Sequence, residues 1–319
     1  MSIRLYQAPE EIPEAPEQGR VVAIGVFDGV HRGHQRIVRE AVMNARDVAG
    51  SLATAVTFRP HPEAVLRPHP APRLLTSLAR KAELMEGLGV DELVVVRFDR
   101  DFARLSPADF CRLLLSRRLG ARLVLVGENF RFGHGGMGGP SDLRQYGRQH
   151  GFEVRTVPLA EQDGEVISST RIRNLVAAGR VREAAALLGR PHRIEGVVVA
   201  GAGRGRTLQV PTANLAVEPE TAVPHHGVYI TRSLIDHCES HPSVTSVGTN
   251  PTFEVDKKLR IETLLLDYTG DIYGRSLALD FLDWIRAQQT YADADSLVRR
   301  IHEDIEVARS YLESRGEPV

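Results

Sequence analysis

Between Gly25 and His34 the chain reads Gly-Val-Phe-Asp-Gly-Val-His-Arg-Gly-His. Two imidazoles three residues apart on an opening helix meet on one side of its first turn. Free N–H groups and the positive end of the helix dipole favour an anion there. Gly33, between His31 and His34, lets a ligand approach the backbone closely. Such a turn can hold a triphosphate and neutralise charge growing on one phosphorus. Gly25, Phe27, Asp28 and Gly33 would line it, and His31 and His34 would act on the reacting group. Taken alone, His-x-Gly-His is as readily a solvated turn, and a zinc site would need a third and fourth ligand that no neighbouring residue supplies.

A second anion-binding pattern follows at Ser168-Ser169-Thr170-Arg171-Ile172-Arg173. Ser168, Ser169 and Thr170 bring hydroxyls to a helix start that also carries the Arg173 guanidinium, a combination suited to phosphate. Plain helix capping is the competing use of the same residues. A third pattern, Gly201-Ala202-Gly203-Arg204-Gly205-Arg206, precedes Pro211-Thr212-Ala213-Asn214. Gly201, Gly203 and Gly205 allow backbone amides to turn toward a polyphosphate, with Arg206 beside them. Thr212 and Asn214, two apart in extended chain, present both side-chain oxygens to one side, where a hard cation such as Mg²⁺ could sit. Glu262 lies in a strand between apolar neighbours, and partial burial can raise a carboxyl toward the range of a general base. A solvent-facing strand glutamate is the plainer reading. His237, Cys238 and His241 read as a polar hairpin loop rather than a metal site.

The elements that must carry these residues fall into two kinds. Over residues 21–27, 52–58, 93–98, 123–126 and 152–157 the chain has short apolar runs of strand length. Helical spacing separates them: Ile37, Val38, Ala41, Val42 and Ala45; residues 77–86; and a helix capped by Ser106-Pro107, with Phe110, Leu113 and Leu114 as its inner stripe. That alternation predicts an α/β unit, a parallel sheet with helices on both faces, and ligands bind beyond the carboxyl ends of such strands. Beyond residue 186 the runs at 194–200, 227–234, 244–247, 260–267 and 276–282 are short and partly alternating, punctuated by Gly, Pro and Asn. They predict an antiparallel sheet or small barrel. A closing helix carries Leu297, Ile301, Ile305, Ala308 and Leu312 on one face, with Asp293 or Asp295 as its cap. Two domains are expected, 1–186 and 187–319.

Composition narrows the partners. The 319 residues hold 40 Lys and Arg against 41 Asp and Glu, a net charge of −1, so no broad basic field for nucleic acid is expected. No apolar run reaches the roughly 20 residues of a membrane span, and residues 1–17 lack the layout of a signal peptide. Two distant cysteines, Cys111 and Cys238, suit a reducing, cytoplasmic setting. Oligomeric state is not legible.

Together the first two patterns resemble the adenylyl-transferring nucleotidylyltransferase superfamily. Thr57-Phe58-Arg59-Pro60-His61-Pro62 and Val126-Gly127-Glu128-Asn129-Phe130-Arg131-Phe132-Gly133 narrow that resemblance. They are similar to the FAD synthetase module of bacterial bifunctional riboflavin kinase/FMN adenylyltransferases. The resemblance implies a Rossmann-like sheet in which Gly25, Phe27, Asp28, Gly33, Ser168, Ser169, Thr170 and Arg173 bind ATP. Asn129 would hold the FMN phosphate or the pyrophosphate, and Pro60, His61 and Pro62 would border the flavin. Without the comparison, residues 127–139 are a Gly-rich loop that could serve as a lid.

The second half resembles the riboflavin kinase module of the same family through Gly189-Arg190-Pro191, the glycine loop, Pro-Thr-Ala-Asn, Gly227-Val228-Tyr229, Gly248-Thr249-Asn250-Pro251-Thr252-Phe253, Glu262 and Tyr273-Gly274. The resemblance implies a six-stranded barrel and gives Gly201, Gly203, Gly205 and Arg206 to ATP, Thr212 and Asn214 to Mg·ATP, Glu262 to activation of the ribityl hydroxyl, and Arg286 to the flavin. Riboflavin, FMN and ATP would be substrates and FAD a product. Two departures stand out: Gln209 occupies a usual glycine, and Arg286-Ala287-Gln288 replaces Arg-x-Glu. They leave open a kinase-like flavin-binding module with little turnover, and a flavin carrier without catalysis is a further reading.

Overall fold

The computed structural model describes residues 2–67, 70–201, 210–249, 259–291 and 293–316. Its packing divides into two units, Met1–Ser169 and Thr170–Val319, so the Ser168–Arg173 pattern runs across the division.

The first unit is built on six strands: β1 (Arg4–Tyr6), β2 (Arg20–Ile24), β3 (Leu52–Arg59), β4 (Glu92–Arg97), β5 (Ala121–Gly127) and β6 (Glu153–Val157). Every neighbouring pair is parallel, in the order β1-β4-β3-β2-β5-β6. The apolar runs lack polar alternation because both faces are covered. Val22, Ile24, Val56, Val94, Val96, Val124 and Val126 pack on one face. Val21, Ala23, Ala53, Ala55, Leu93, Leu123 and Leu125 pack on the other. On this second face lie α1 (Arg32–Arg46), through Val38, Ala41 and Ala45, and α3 (Leu78–Gly87), through Met85; the short α2 (Pro62–Leu66) follows β3. From β2 the chain winds one way to β3 and β4, then crosses to β5 on the other side. Strand order therefore reverses between β2 and β5, the switch point where a crevice opens at the strands' carboxyl ends.

One expectation, Leu113 on the inner stripe, is corrected. The helix after β4 begins at Ser106, whose hydroxyl accepts from the Asp109 N–H at 3.0 Å. Its first turn, α4 (Pro107–Asp109), then widens into a π-helical stretch, Phe110–Arg118. The extra residue per turn rotates the inner stripe to Phe110, Cys111, Leu114 and Leu115 and leaves Leu113 38% exposed. Residues 4–6, unassigned by periodicity, form an edge strand on β4. At the far end of the sheet from the crevice, the fully buried Arg20 donates to Glu92 at 2.7 Å, and the Thr54 hydroxyl donates to the same carboxylate at 2.9 Å. The unit is completed by α5 (Pro140–His150) and a small hairpin, β7 (Glu161–Gln162) with β8 (Glu165–Val166).

The second unit begins at Thr170, within α6 (Ser169–Ala177), and continues through α7 (Val181–Leu188). A closed antiparallel barrel follows, β9 (His192–Val199), β10 (Ala213–Ala216), β11 (Gly227–Ile235), β12 (Glu239–Thr249), β13 (Leu259–Leu265) and β14 (Ser276–Arg286), ordered β10-β13-β12-β11-β14-β9. Strand β10 is one more than periodicity supplies. The interior takes Ile194, Val198, Ala213, Leu215, Tyr229, Val247, Ile261 and Phe281, with Val181 of α7 in the same cluster. Their sequence neighbours Asn214, Val228, Ser246 and Glu262 therefore face outward. Part of that outer face, Val228, Ile230, Val244 and Leu264, is covered by the closing helix α8 (Ala294–Glu313) through Ala308, Ile301 and Ile305. Asp293 is its cap, accepting from the Ser296 N–H at 2.7 Å.

Candidate active sites

At the switch point the chain turns from β2 into α1. Phe27 and Val30 both have positive φ, 51° and 39°, a region that costs a bulky or β-branched residue about 1–3 kcal/mol. The turn is held from outside. The buried Asp28 carboxylate accepts the N–H groups of Leu75 and Thr76 at 2.9 and 3.3 Å, and the Gly29 N–H donates to the Thr76 hydroxyl at 3.1 Å. The Phe27 ring is fully buried beneath Gly25, where a Cβ would lie 2.9 Å from the ring. Glycine is thus required where the chain leaves β2.

The turn delivers both histidines to one place. His31 is the N-cap of α1, and its Nδ1 accepts from the His34 N–H at 3.3 Å. In the neutral ring this puts the His31 proton on Nε2. The two imidazoles stack with centroids 3.5 Å apart, and Phe27 meets His34 edge-on at 5.3 Å. Burial, then the neighbouring His31 and Lys81, holds the His34 pKa well below the ordinary 6.5. Its Nδ1 is buried and has no hydrogen-bond partner among the described residues. A neutral imidazole with an unpartnered nitrogen can make its remaining bond to a bound ligand.

From the second pattern, the Ser169 hydroxyl donates to the Asp28 carbonyl at 2.8 Å. Ser168 is half-buried beside it in the chain, while Thr170 and Arg173 belong to the second unit through α6. Asn129 is exposed just past the end of β5, its Oδ1 folded against Gly127. Pro60 is exposed, and His61 caps α2 by accepting the Glu63 N–H at 3.2 Å, with Pro62 as the first helical residue. The Gly-rich segment after Asn129 is tied down by paired backbone hydrogen bonds between Phe132 and Gly138 and by the His134 N–H donating to Leu105 at 2.7 Å.

One participant was missed. Lys81 of α3 is buried, and its ammonium donates to the Val26 carbonyl at 2.8 Å and the Thr57 hydroxyl at 3.0 Å. Burial lowers its pKa from 10.5 to about 8, with Asp28 opposing the shift and Arg59 adding to it. The available signal was helical phase: Lys81 follows Leu78 by three residues and precedes Met85 by four, on the face that packs against the sheet.

The second candidate site lies on the outer face of the barrel. Asn214 of β10 and Ser246 of β12 flank Glu262 of β13 as its direct cross-strand partners, so all three side chains project from one face as neighbours. Glu262 is half-buried. A Cβ at Gly201 would fall 2.1 Å from the Asn214 amide nitrogen, so only glycine lets the preceding segment lie on that side chain. Thr212 enters β10 half-buried on the same approach. Gln288 donates to the Ser246 hydroxyl at 3.1 Å, which places it against Ser246, the cross-strand partner of Glu262. Arg286 is engaged elsewhere: its guanidinium pairs with the buried Asp304 of α8 at 2.6 Å. Gly203, Gly205, Arg206 and Gln209 lie outside the described residues.

The first unit has the architecture of nucleotide-binding α/β proteins, with its candidate turn at the switch point. Comparison with known proteins makes the assignment particular. Residues 14–171 match the FAD synthetase family model and residues 188–312 the riboflavin kinase model. A bifunctional riboflavin kinase/FMN adenylyltransferase of Pseudomonas fluorescens is 38% identical, covering 92% of this chain and 93% of its own. That of Listeria monocytogenes is 36% identical, covering 95% and 96%. A solved structure described as a macrolide-efflux protein from Streptococcus pneumoniae superposes with a TM-score of 0.86 at 33% identity, over 97% of this chain and 99% of that one. The chain belongs to the bifunctional riboflavin kinase/FMN adenylyltransferase family. Among the described residues no helix is long and apolar enough to cross a membrane.

Proposed function

We propose a division of labour in which the barrel makes FMN and the parallel-sheet unit converts it to FAD. The chain is a riboflavin kinase and FMN adenylyltransferase, and ATP is a substrate of both reactions. A low-turnover kinase module is not favoured, since both halves match their enzyme families.

In the adenylyltransferase reading, the N-terminus of α1 takes the ATP phosphates, with Gly25, Phe27, Asp28, Gly33, Ser168, Ser169, Thr170 and Arg173 as the binding set. Asn129 and Pro60, His61 and Pro62 attend the FMN side. An ionised FMN phosphate oxygen attacks the α-phosphorus and pyrophosphate leaves, with no covalent enzyme intermediate. His31 and His34 stabilise charge gathering around the α-phosphorus and the leaving group. The observation that carries this reading is the stacked imidazole pair at the start of α1, 3.5 Å apart, on a turn joined through Asp28 to Ser169.

In the kinase reading, Glu262 removes the proton of the terminal ribityl hydroxyl, whose oxygen attacks the γ-phosphorus of ATP as ADP leaves. The neutral oxygens of Thr212 and Asn214, beside a carboxylate, are a donor set that fits Mg²⁺, a hard cation that completes its shell with water and phosphate. Bound there, Mg²⁺ supplies charge neutralisation on the transferring phosphoryl group. Gly201, Gly203, Gly205 and Arg206 complete the ATP side. Arg286 would reach the flavin from the α8 side, where its pairing with Asp304 fixes its direction. The chemistry divides at 186/187 in this reading, within α7. A cytoplasmic location is supported by the two free thiols, Cys111 and Cys238, and the near-neutral charge supports small-molecule rather than nucleic-acid partners.

Incubation of the pure protein with riboflavin, ATP and Mg²⁺, followed by chromatography, tests the scheme. FMN followed by FAD is expected. Unchanged riboflavin would overturn the kinase assignment, and FMN without FAD would overturn the adenylyltransferase assignment.

A further inference from the structure

The turn that carries His31 and His34 leaves β2 through two residues with positive φ, Phe27 and Val30. A strained turn keeps its shape only when its surroundings over-determine it. Asp28 supplies one restraint, through Leu75 and Thr76. The other end of the turn, the Val26 carbonyl, lies past the last residue of β2, and a carbonyl at a strand end needs a partner from outside the ladder. It has two: the Lys81 ammonium at 2.8 Å and the Thr57 hydroxyl, also at 2.8 Å, with Lys81 bonded in turn to Thr57 at 3.0 Å. The triangle ties α3, β3 and the start of the turn together. Burying an ammonium costs several kcal/mol unless its hydrogen bonds are made, a cost that an apolar side chain on the same helix face would not carry.

We propose that Lys81 is a positioning residue of the adenylyltransferase site, holding the Val26–Val30 turn so that the two imidazoles meet the ATP phosphates in register. It also acts through charge: a fixed cation beside His34 disfavours a second positive charge there, keeping the ring neutral. The charged and titratable groups around the pair are His31 on the same helix, Asp28 in the turn and Arg59 at the end of β3. The inference rests on the adenylyltransferase reading above.

The test is Lys81→Met in the full-length protein, assayed for adenylylation of supplied FMN and for riboflavin phosphorylation. A displaced reacting group of about 1 Å costs on the order of 10²-fold, so kcat for FAD formation should fall by about 10- to 100-fold, with a smaller change in KM for ATP and intact phosphorylation. Histidine-labelled protein titrated by NMR, with the His34 signal identified by its loss in His34→Ala, supplies a second readout. Its midpoint should move up toward 6.5 in Lys81→Met, though only part way because burial remains the larger cause, and should stay at its wild-type position in Lys81→Arg. A wild-type kcat, or a lower kcat with an unmoved His34 midpoint, would overturn the proposal. Should Lys81→Met lose both activities, the near-isosteric Thr57→Val decides: it removes one corner of the triangle, and an unchanged rate of adenylylation refutes the positioning role. An active His34→Ala would sink the site assignment and this inference with it; an inactive His34→Ala beside a wild-type-like Lys81→Met would sink the inference alone.

Discussion

Replacing His34 by Ala should separate the two activities of one polypeptide. The ring has two structural contacts, the stack on His31 and the edge of Phe27. Aromatic pairs are worth about 0.5–1.5 kcal/mol each, so the fold loses about 1–3 kcal/mol, within the stability of an ordinary domain. The contribution to catalysis proposed for it is larger. Removing one preorganised donor from a phosphoryl or acyl transition state costs about 10²–10³ in rate, or about 2.7–4 kcal/mol. Adenylylation of supplied FMN should therefore drop at least that far while riboflavin phosphorylation, which the proposed scheme gives to the row of Asn214, Glu262 and Ser246 in the other unit, proceeds at its former rate. His34→Phe sharpens the comparison, because it keeps an aromatic ring and lacks the donor. It should match the Ala variant in FAD formation and exceed it in stability to urea. Equal loss of both activities in a folded protein, or adenylylation kept within tenfold, refutes the role given to His34.

Three other outcomes follow from named contacts. Glu262→Gln should lower riboflavin phosphorylation by about 10²–10⁴-fold, the range for a lost general base, and leave FAD formation from supplied FMN intact; unchanged FMN output in a coupled flavin chromatography assay refutes the assignment. Glu92→Gln strips the buried Arg20 of its charge partner and should reduce stability by about 3–5 kcal/mol, read as a lower urea midpoint of the first unit. The depressed His34 pKa also predicts a pH dependence. Unfolded, the ring binds a proton near 6.5; folded, only well below that. Below pH 6.5 the unfolded state thus holds more protons, and stability falls as pH falls, by up to about 1.4 kcal/mol per pH unit, until the folded ring protonates too. Above 6.5 the contribution is complete. Urea titrations of wild type and His34→Gln from neutral to mildly acid pH should diverge in that window.

Much of the parallel-sheet unit was legible because its physics is local. A strand buried on both faces needs an unbroken apolar run, and β2, β3 and β5 have one; Gly25 and the histidine spacing mark where the first run must turn. Where tertiary context sets the geometry, reading failed. Leu113 fits an α-helical stripe on paper, but the π-helical widening from Phe110 turns it outward. Residues 4–6 are too short to show a period and become a strand only because the edge of β4 is there to pair with. Strand β10 is only four residues, Ala213–Ala216, too short to show a period of its own, and it is defined by its pairing with β9 and β13.

The same distinction explains why the two sites differ in how they can be read. The first is written largely in one segment: ten consecutive residues make the turn, the cap and the imidazole stack, and helical geometry alone converts their spacing into proximity. The second is written in none. Asn214, Ser246 and Glu262 come from three strands and meet only because the antiparallel register sets Asn214 opposite Glu262 and Glu262 opposite Ser246. A slip of one residue in either pairing would send Asn214 or Ser246 into the barrel interior, where Ala213, Val247 and Ile261 now pack. The apolar interior residues are therefore as much a condition of the proposed kinase site as Glu262 itself: they fix the register, and the register assembles the polar row. Lys81 belongs to the same logic in the first unit. It lies 50 residues beyond His31 in sequence, and only the packing of α3 against the sheet brings its ammonium to the Val26 carbonyl where the turn begins.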